Sequence, residues 1–410
     1  MFNKLLIIGF VYPEPTSSAA GTRMMQLIEA FLSFGYQITF ASTAQKTERS
    51  FKLDTLGINE VNIELNQTSF NVFIEELQPS IVVFDRFMTE EQFGWRVAQT
   101  CPKAIRILDT EDLHCLRKGR EQAFFDNTKF TDKYLFNDIA KREIAAIYRS
   151  DLSLIISEFE MELLTSRFKV PSELLLYLPF MERPISEEEQ KQIPDFSERN
   201  HFVTVGTFKH EPNYQSILYL KNTLWGLIRA KLPKAELHIF GAHVTQRVQQ
   251  LHNPKTGIFI KGFVEDIQDT LKKYKVFLAP LQFGAGLKGK LVDAMKSGTP
   301  CVMSSIAAEG MFGDLSANGF IEDEPTNFAQ KAIEIYTINK IYSEFQINGF
   351  QIINSIYNKY NFNELLFAKI IDLKSKIDQH RLQNFIGSML HYHTMQSSKY
   401  MSKWIESKNK

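Results

Sequence analysis

Lys288 and Lys290 stand among three glycines, Gly284, Gly286 and Gly289, and Asp293 follows close behind. This spacing suits the capture of a diphosphate. Glycine lets a backbone approach a ligand without side-chain clash. The apolar run 276–280 before the loop reads as a short buried strand. A helix is predicted to begin near Leu287 and to stop at Gly298, with Pro300 just beyond. The N-terminus of a helix offers unpaired N–H groups and a partial positive charge, to which the two lysines add full charges. Asp293, one to two turns into that helix, is placed to accept hydrogen bonds from a ribose or sugar hydroxyl beside the phosphates. Diphosphate plus diol is the chemistry of a nucleotide sugar.

Other candidates fall at the ends of expected strands, where open α/β sheets bind ligands. Gly206 closes one strand and Lys209 follows it, either at the cleft or simply in solvent. Gly21 stands between the first strand and a helix. It is either a turn glycine or part of a loop approaching donor phosphate or acceptor. Arg23, in the first turn of that helix, faces a phosphate or a nearby acid. The segment 109–117 ends a buried strand and is dense in polar groups, His114 among them, which suggests a site. The competing reading is a cluster of caps and ion pairs.

These residues need a scaffold. At 410 residues two domains are expected. Strands are predicted at 5–10, 38–42, 61–65, 81–85, 105–109 and 152–157, with helical patterns between most of them, the first at 22–34. The region 178–199, with Pro179, Pro184, Pro194 and the run Glu187-Glu188-Glu189, reads as an exposed connection. Alternation then restarts, with strands at 202–205, 235–240, 258–261, 276–280 and 301–304. Repeated βα units imply parallel sheets covered on both faces. The expected architecture is α/β: two Rossmann-like domains facing across a cleft, at 1–185 and 200–360. A helical tail at 361–410 is expected to pack back on the first domain.

The 47 basic and 47 acidic residues cancel, so no basic excess advertises a nucleic-acid partner. Three scattered cysteines, with no CxxC pair, form neither a zinc site nor a disulfide framework, and fit thiols in a reducing cytosol. The apolar N-terminus is short and runs into Pro13 and Pro15, as a first strand would rather than a signal peptide. No window has the length and apolarity of a membrane span. Trp95 and Trp225 sit in helical patterns and read as core.

In the tail, Leu382, Phe385, Ile386, Met389 and Leu390 recur at helical spacing, as do Tyr400, Met401, Trp404 and Ile405. Two amphipathic helices are predicted, broken near Gln396-Ser397-Ser398. They either pack on the other domain or dock on anionic lipid, with Lys399, Lys403, Lys408 and Lys410 supplying charge.

Four segments carry a resemblance: Gly9 to Gly21, Val205-Gly206-Thr207-Phe208-Lys209-His210-Glu211-Pro212-Asn213, the strand ends Gly241 and Lys261-Gly262-Phe263-Val264, and Gly284 to Met295 with Gly298-Thr299-Pro300 and Ala308-Glu309-Gly310. In order and spacing they resemble the retaining glycosyltransferases of the GT-B fold, family four. The resemblance implies transfer of a sugar from a nucleoside-diphosphate donor to an acceptor hydroxyl, glycan or lipid-linked. It implies retention at the anomeric carbon, no protein nucleophile and no metal or other cofactor. Lys288 and Lys290 would hold the leaving diphosphate, and Gly206, Lys209, Gly284, Gly286 and Gly21 would line the donor site. Many members carry two glutamates eight positions apart around the loop. Here Ala285 stands at the first and Asp293 at the second, so Glu309 becomes a candidate substitute near the sugar. Members often have a sugar-contacting histidine after the strand at 105–109. Glu111 falls at that place and His114 slightly later. Two rivals remain: a nucleotide-binding module without turnover in a polysaccharide assembly, and a sugar epimerase on the same fold.

Overall fold

The computed structural model describes residues 3–408, apart from the side chains at 394–396 and 398. The first sheet contains β1 (Lys4–Gly9), β2 (Gln37–Ser42), β3 (Asn59–Asn62), β4 (Ile81–Asp85), β5 (Ile105–Asp109), β6 (Leu152–Ile155) and β7 (Leu175–Tyr177), in the order β3-β2-β1-β4-β5-β6-β7. The second contains β8 (Asn200–Val205), β9 (Leu237–Phe240), β10 (Ile258–Gly262), β11 (Tyr274–Ala279), β12 (Cys301–Met303) and β13 (Gly319–Ile321), in the order β10-β9-β8-β11-β12-β13. Every pairing within both sheets is parallel.

Helices cover both faces, which is why the central strands are continuously apolar. Alternate residues of β1 show it: Leu5 and Ile7 enter one core, Leu6 and Ile8 the other. The second sheet divides likewise, with Val203 and Phe277 on one side and Phe202 and Val276 on the other. Trp95 and Trp225 are buried. β7 and β13, three residues each, were not among the strands expected from the sequence.

In each sheet the strand order reverses beside the first strand: between β1 and β4, and between β8 and β11. Such a switch point opens a crevice at the carboxyl ends of the strands. The loop after β11 carries the glycines and lysines. The chain passes between the domains twice, and the two crossings run side by side: Glu182 N–H donates to Tyr357 O (2.6 Å) and Lys359 N–H to Glu182 O (2.9 Å). The acidic run Glu187-Glu188-Glu189 forms the first turn of a short helix, Glu187–Lys191, closed by a Ser186–Glu189 capping box.

The returning helix Lys359–Gln383 buries Leu366, Phe367, Ile370 and Leu373 in the first domain's core. The last helix, Phe385–Lys408, runs unbroken through Gln396-Ser397-Ser398. The expected break there is corrected to Asn384, whose side-chain oxygen accepts from Gly387 N–H (2.9 Å) and so caps the new helix. Leu382 and Phe385 therefore belong to different helices. Lys410 lies outside the described residues.

Candidate active site at the domain junction

Gly284 (φ 154°) and Gly286 (φ 63°) hold conformations that side-chain-bearing residues rarely adopt, and they delay the helix to Gly289–Lys296 rather than Leu287. The loop is pressed on the first domain. A Cβ at Gly286 would lie 2.8 Å from Asp112 Cβ, and one at Gly289 would lie 2.7 Å from Ala19 Cβ. Ala285, where the resemblance places a glutamate, is buried in the first domain's core cluster. Gly286 N–H donates to Glu160 Oε1 (2.9 Å), which also accepts from Leu113 N–H (3.0 Å). Burial pushes the Glu160 carboxyl up to about 8, with Asp112 adding to the effect.

Lys288 is 7 % exposed, and its ammonium donates to the carbonyls of Ala285 (3.2 Å) and Gly286. Lys290 donates to Asn213 Oδ1 (2.6 Å). Asn213 in turn donates to Thr207 O (3.0 Å) and fills the space where a Cβ on Gly206 would sit, at 2.5 Å. Gly206 and Lys290 are thus joined through one amide. Burial pushes Lys288 down to about 8, against the pull of Glu309 and Glu160. It pushes Lys290 down to about 7, with Lys288 repelling it further. Among the described residues neither lysine has a carboxylate within ion-pair distance. Desolvated cations with only neutral partners favour an incoming anion. Asp293 is half-buried, and burial raises its carboxyl to about 7 against the pull of Lys296. No described donor occupies its side-chain oxygens, so they remain open to a diol.

Glu309 lies beside this loop, but Arg120 of the first domain engages both its oxygens, each at 2.7 Å, and also donates to Gly284 O (2.9 Å). It ties the domains together and acts on Lys288 through space. His114 begins the helix His114–Phe125, edge-on to Phe87 and 3.4 Å from Asp112 Oδ1. Burial and the cations Arg117 and Arg86 push it down to about 4, so it is neutral at pH 7. Lys209 is exposed in its loop.

Packing places two further residues of the first helix. Gly21 is the third residue of the helix Ala19–Ser33; its N–H donates to Ser18 Oγ (3.1 Å), and a Cβ there would strike the Glu14 backbone at 2.5 Å. It packs tightly on the turn that precedes the helix, and Ala19 is the residue that meets Gly289. Arg23 is fully buried and bonded to Asp109 (2.8 and 2.9 Å) and Leu178 O (2.6 Å), so its partner is an acid.

Two residues gain weight from the structure: Glu111, noted in the sequence only by its alignment, and His210, not singled out there. Glu111 has a left-handed backbone (φ 63°), is 8 % exposed and accepts no hydrogen bond from a described donor. Burial and Asp109 push it up to about 8. A strained, buried, unpartnered carboxyl at a strand's carboxyl end is the profile of a functional group. His210 stands just before the helix Glu211–Tyr219 and is pushed down to about 4 by burial and by Arg117, while Asp112 pulls it up. It brings a second imidazole from the opposite domain to the Asp112 cluster. The sequence signal for both was their position just after a strand.

Two parallel-sheet α/β domains facing each other in this way define the GT-B fold. Residues 199–337 match the family profile described as Glycosyl transferases group 1. Solved structures share the fold. A complex of the Staphylococcus aureus TarM G117R mutant with fondaparinux, alpha-GlcNAc-glycerol and UDP is 12 % identical, covers 91 % of this chain and 100 % of its own, and has a TM-score of 0.68. Sucrose-phosphate synthase from Thermosynechococcus elongatus is 13 % identical, with coverage of 91 % and 99 % and a TM-score of 0.66. HepE from Anabaena, in complex with UDP and glucose, is 12 % identical, with coverage of 89 % and 98 % and a TM-score of 0.66. No curated protein matches the chain by sequence.

Proposed function

We propose that the chain transfers a sugar from a nucleoside-diphosphate donor to an acceptor hydroxyl, with retention and without a metal ion. The observation that carries this reading is the pair Lys288 and Lys290 at a glycine-bounded helix start, desolvated and lacking carboxylate partners. As the glycosidic bond breaks, charge grows on the leaving diphosphate, and preorganised cations and N–H groups stabilise that charge. The TarM and HepE structures, of the same fold and each in complex with UDP, support a uridine donor. Asp293 would take the ribose diol. His114, Glu111 and the loop after β8 would face the sugar and acceptor, and the donor phosphate itself would receive the acceptor proton.

The contacts of Arg120 with Glu309 and Gly284 O hold the domains closed over the loop, which excludes water that would otherwise hydrolyse the donor. A glycan or lipid-linked acceptor in polysaccharide assembly, at the cytoplasmic face of a membrane, fits this chemistry. Incubation with UDP-sugars and glycoside acceptors tests it. Released UDP with a new glycoside of unchanged anomeric configuration supports transfer. Tight UDP binding with neither release nor product would identify a binding module, and an altered sugar without acceptor an epimerase.

A further inference from the structure

The last helix is mounted with its polar side inward. Arg96, buried in the first domain, donates to Ser402 Oγ (2.8 Å) and Glu406 Oε1 (2.7 Å). His391 Nε2 lies 2.8 Å from Arg149 O, and Gly387 packs so closely on Tyr148 O that a Cβ would sit 2.2 Å away. These residues share one face by the 3.6-residue repeat. The opposite face carries Phe385, Ile386, Met389, Tyr392, Tyr400 and Trp404, all exposed; Phe385 is 69 % and Trp404 56 % accessible. An apolar stripe of this length on one helix marks an interaction surface. Between residues 382 and 408 there are three lysines and a single acid, Glu406, which is turned inward to Arg96. Lys403 is exposed on the outward face, Lys399 is half-buried at its edge, and Lys408 stands over the Trp404 ring at 4.0 Å.

We propose that this outward face of Phe385–Lys408 docks on an anionic lipid surface. Aromatic rings with polar tips and long-stemmed lysines are the side chains that suit the boundary between headgroups and acyl chains. No described helix is long and apolar enough to cross a membrane, so the helix lies in the plane of the surface. Charge decides between occupants. A second copy would bring lysines against lysines, whereas an anionic surface neutralises them. The inference stands apart from sugar transfer and is tested without nucleotide or acceptor.

The full chain is mixed with vesicles of phosphatidylcholine alone, or of phosphatidylcholine with phosphatidylglycerol, and read by flotation and tryptophan emission. Trp95 and Trp225 are buried, so Trp404 reports the contact. The expected result is flotation and a blue shift with anionic vesicles, weakened by salt. Binding should fall at least about tenfold in Lys399→Glu/Lys403→Glu, since each lysine near such a surface contributes about one factor of five. It should also be lost in Phe385→Ser/Met389→Ser. Absence of binding by the wild type, or binding unchanged in both variants, overturns the proposal. So does a dimer in sedimentation that Phe385→Ser/Met389→Ser dissociates, which would assign the face to a second copy.

Discussion

The two domains bury positive charge in opposite ways. In the first, guanidinium groups come with carboxylates: Arg23 with Asp109, Arg149 with Glu90, Arg106 with Asp151. In the second, the Lys288 and Lys290 ammonium groups rest on carbonyls and an amide. Even the buried Arg199 there, which also lacks a carboxylate, is held by four bonds, to the carbonyls of Pro194, Tyr274 and Ser297 and to Thr299 Oγ1. A paired ion is structural, because removing either member strands the other in a low-dielectric interior. An unpaired, partly desolvated lysine costs stability in the free protein and recovers it when an anion arrives. The difference separates the scaffold from the proposed site.

The largest effect should come from emptying the anion site. Lys288→Ala with Lys290→Ala is expected to lower kcat/KM by three to four powers of ten, about 4–5.5 kcal/mol, while circular dichroism shows an intact fold. Wild-type rates in that variant would remove the lysines from the mechanism. Arg23→Ala should act on the scaffold instead. Stranding Asp109 is expected to cost about 3–5 kcal/mol in urea denaturation, and a loss confined to nucleotide affinity would break the contrast.

Protonation gives a gentler test. Lys288 and Lys290, held down to about 8 and 7, lose charge as pH rises through that window. Calorimetry should find UDP bound at least about tenfold more weakly at pH 9 than at pH 7, since each neutral lysine must recover a proton to bind. Glu309 supports the charge on Lys288. Glu309→Gln should therefore lower that lysine's pKa further and move the alkaline loss of affinity to lower pH by a fraction of a unit.

The smallest effect concerns stability. A lysine whose folded pKa lies below its unfolded value near 10.5 destabilises the fold progressively as pH drops toward the folded pKa, and by a constant amount below it. Lys290→Met should then raise the melting temperature of the free protein by about 2 °C at pH 6.5, with less gain at pH 10. A lower melting temperature at both pH values would mean that Asn213 holds the lysine for structure.

Much of the architecture was legible because it is written locally. The α/β class and the parallel sheets followed from alternating apolar runs, and the glycine–lysine loop from a few contiguous residues. Register and partner choice were not legible. The faces of the last helix show why. Periodicity identified an apolar stripe at Phe385, Ile386 and Met389, but periodicity carries no information about which side meets the domain. Arg96 and the Tyr148 carbonyl decided that, and they turned the stripe outward.

What the sequence determined by itself was a glycine–lysine loop between a buried strand and a helix, and the alternation of strands and helices along the chain. Glycine's freedom at positive φ and the repeat lengths of helix and strand are properties of neighbouring residues. Only the tertiary structure decided which charges are spent. Arg23 finds Asp109 across 86 residues, Lys290 finds Asn213 across 77, and Arg120 finds Glu309 across 189. A carboxylate within hydrogen-bond reach depends on how the sheets are ordered and how the domains close. No spacing along the chain encodes that.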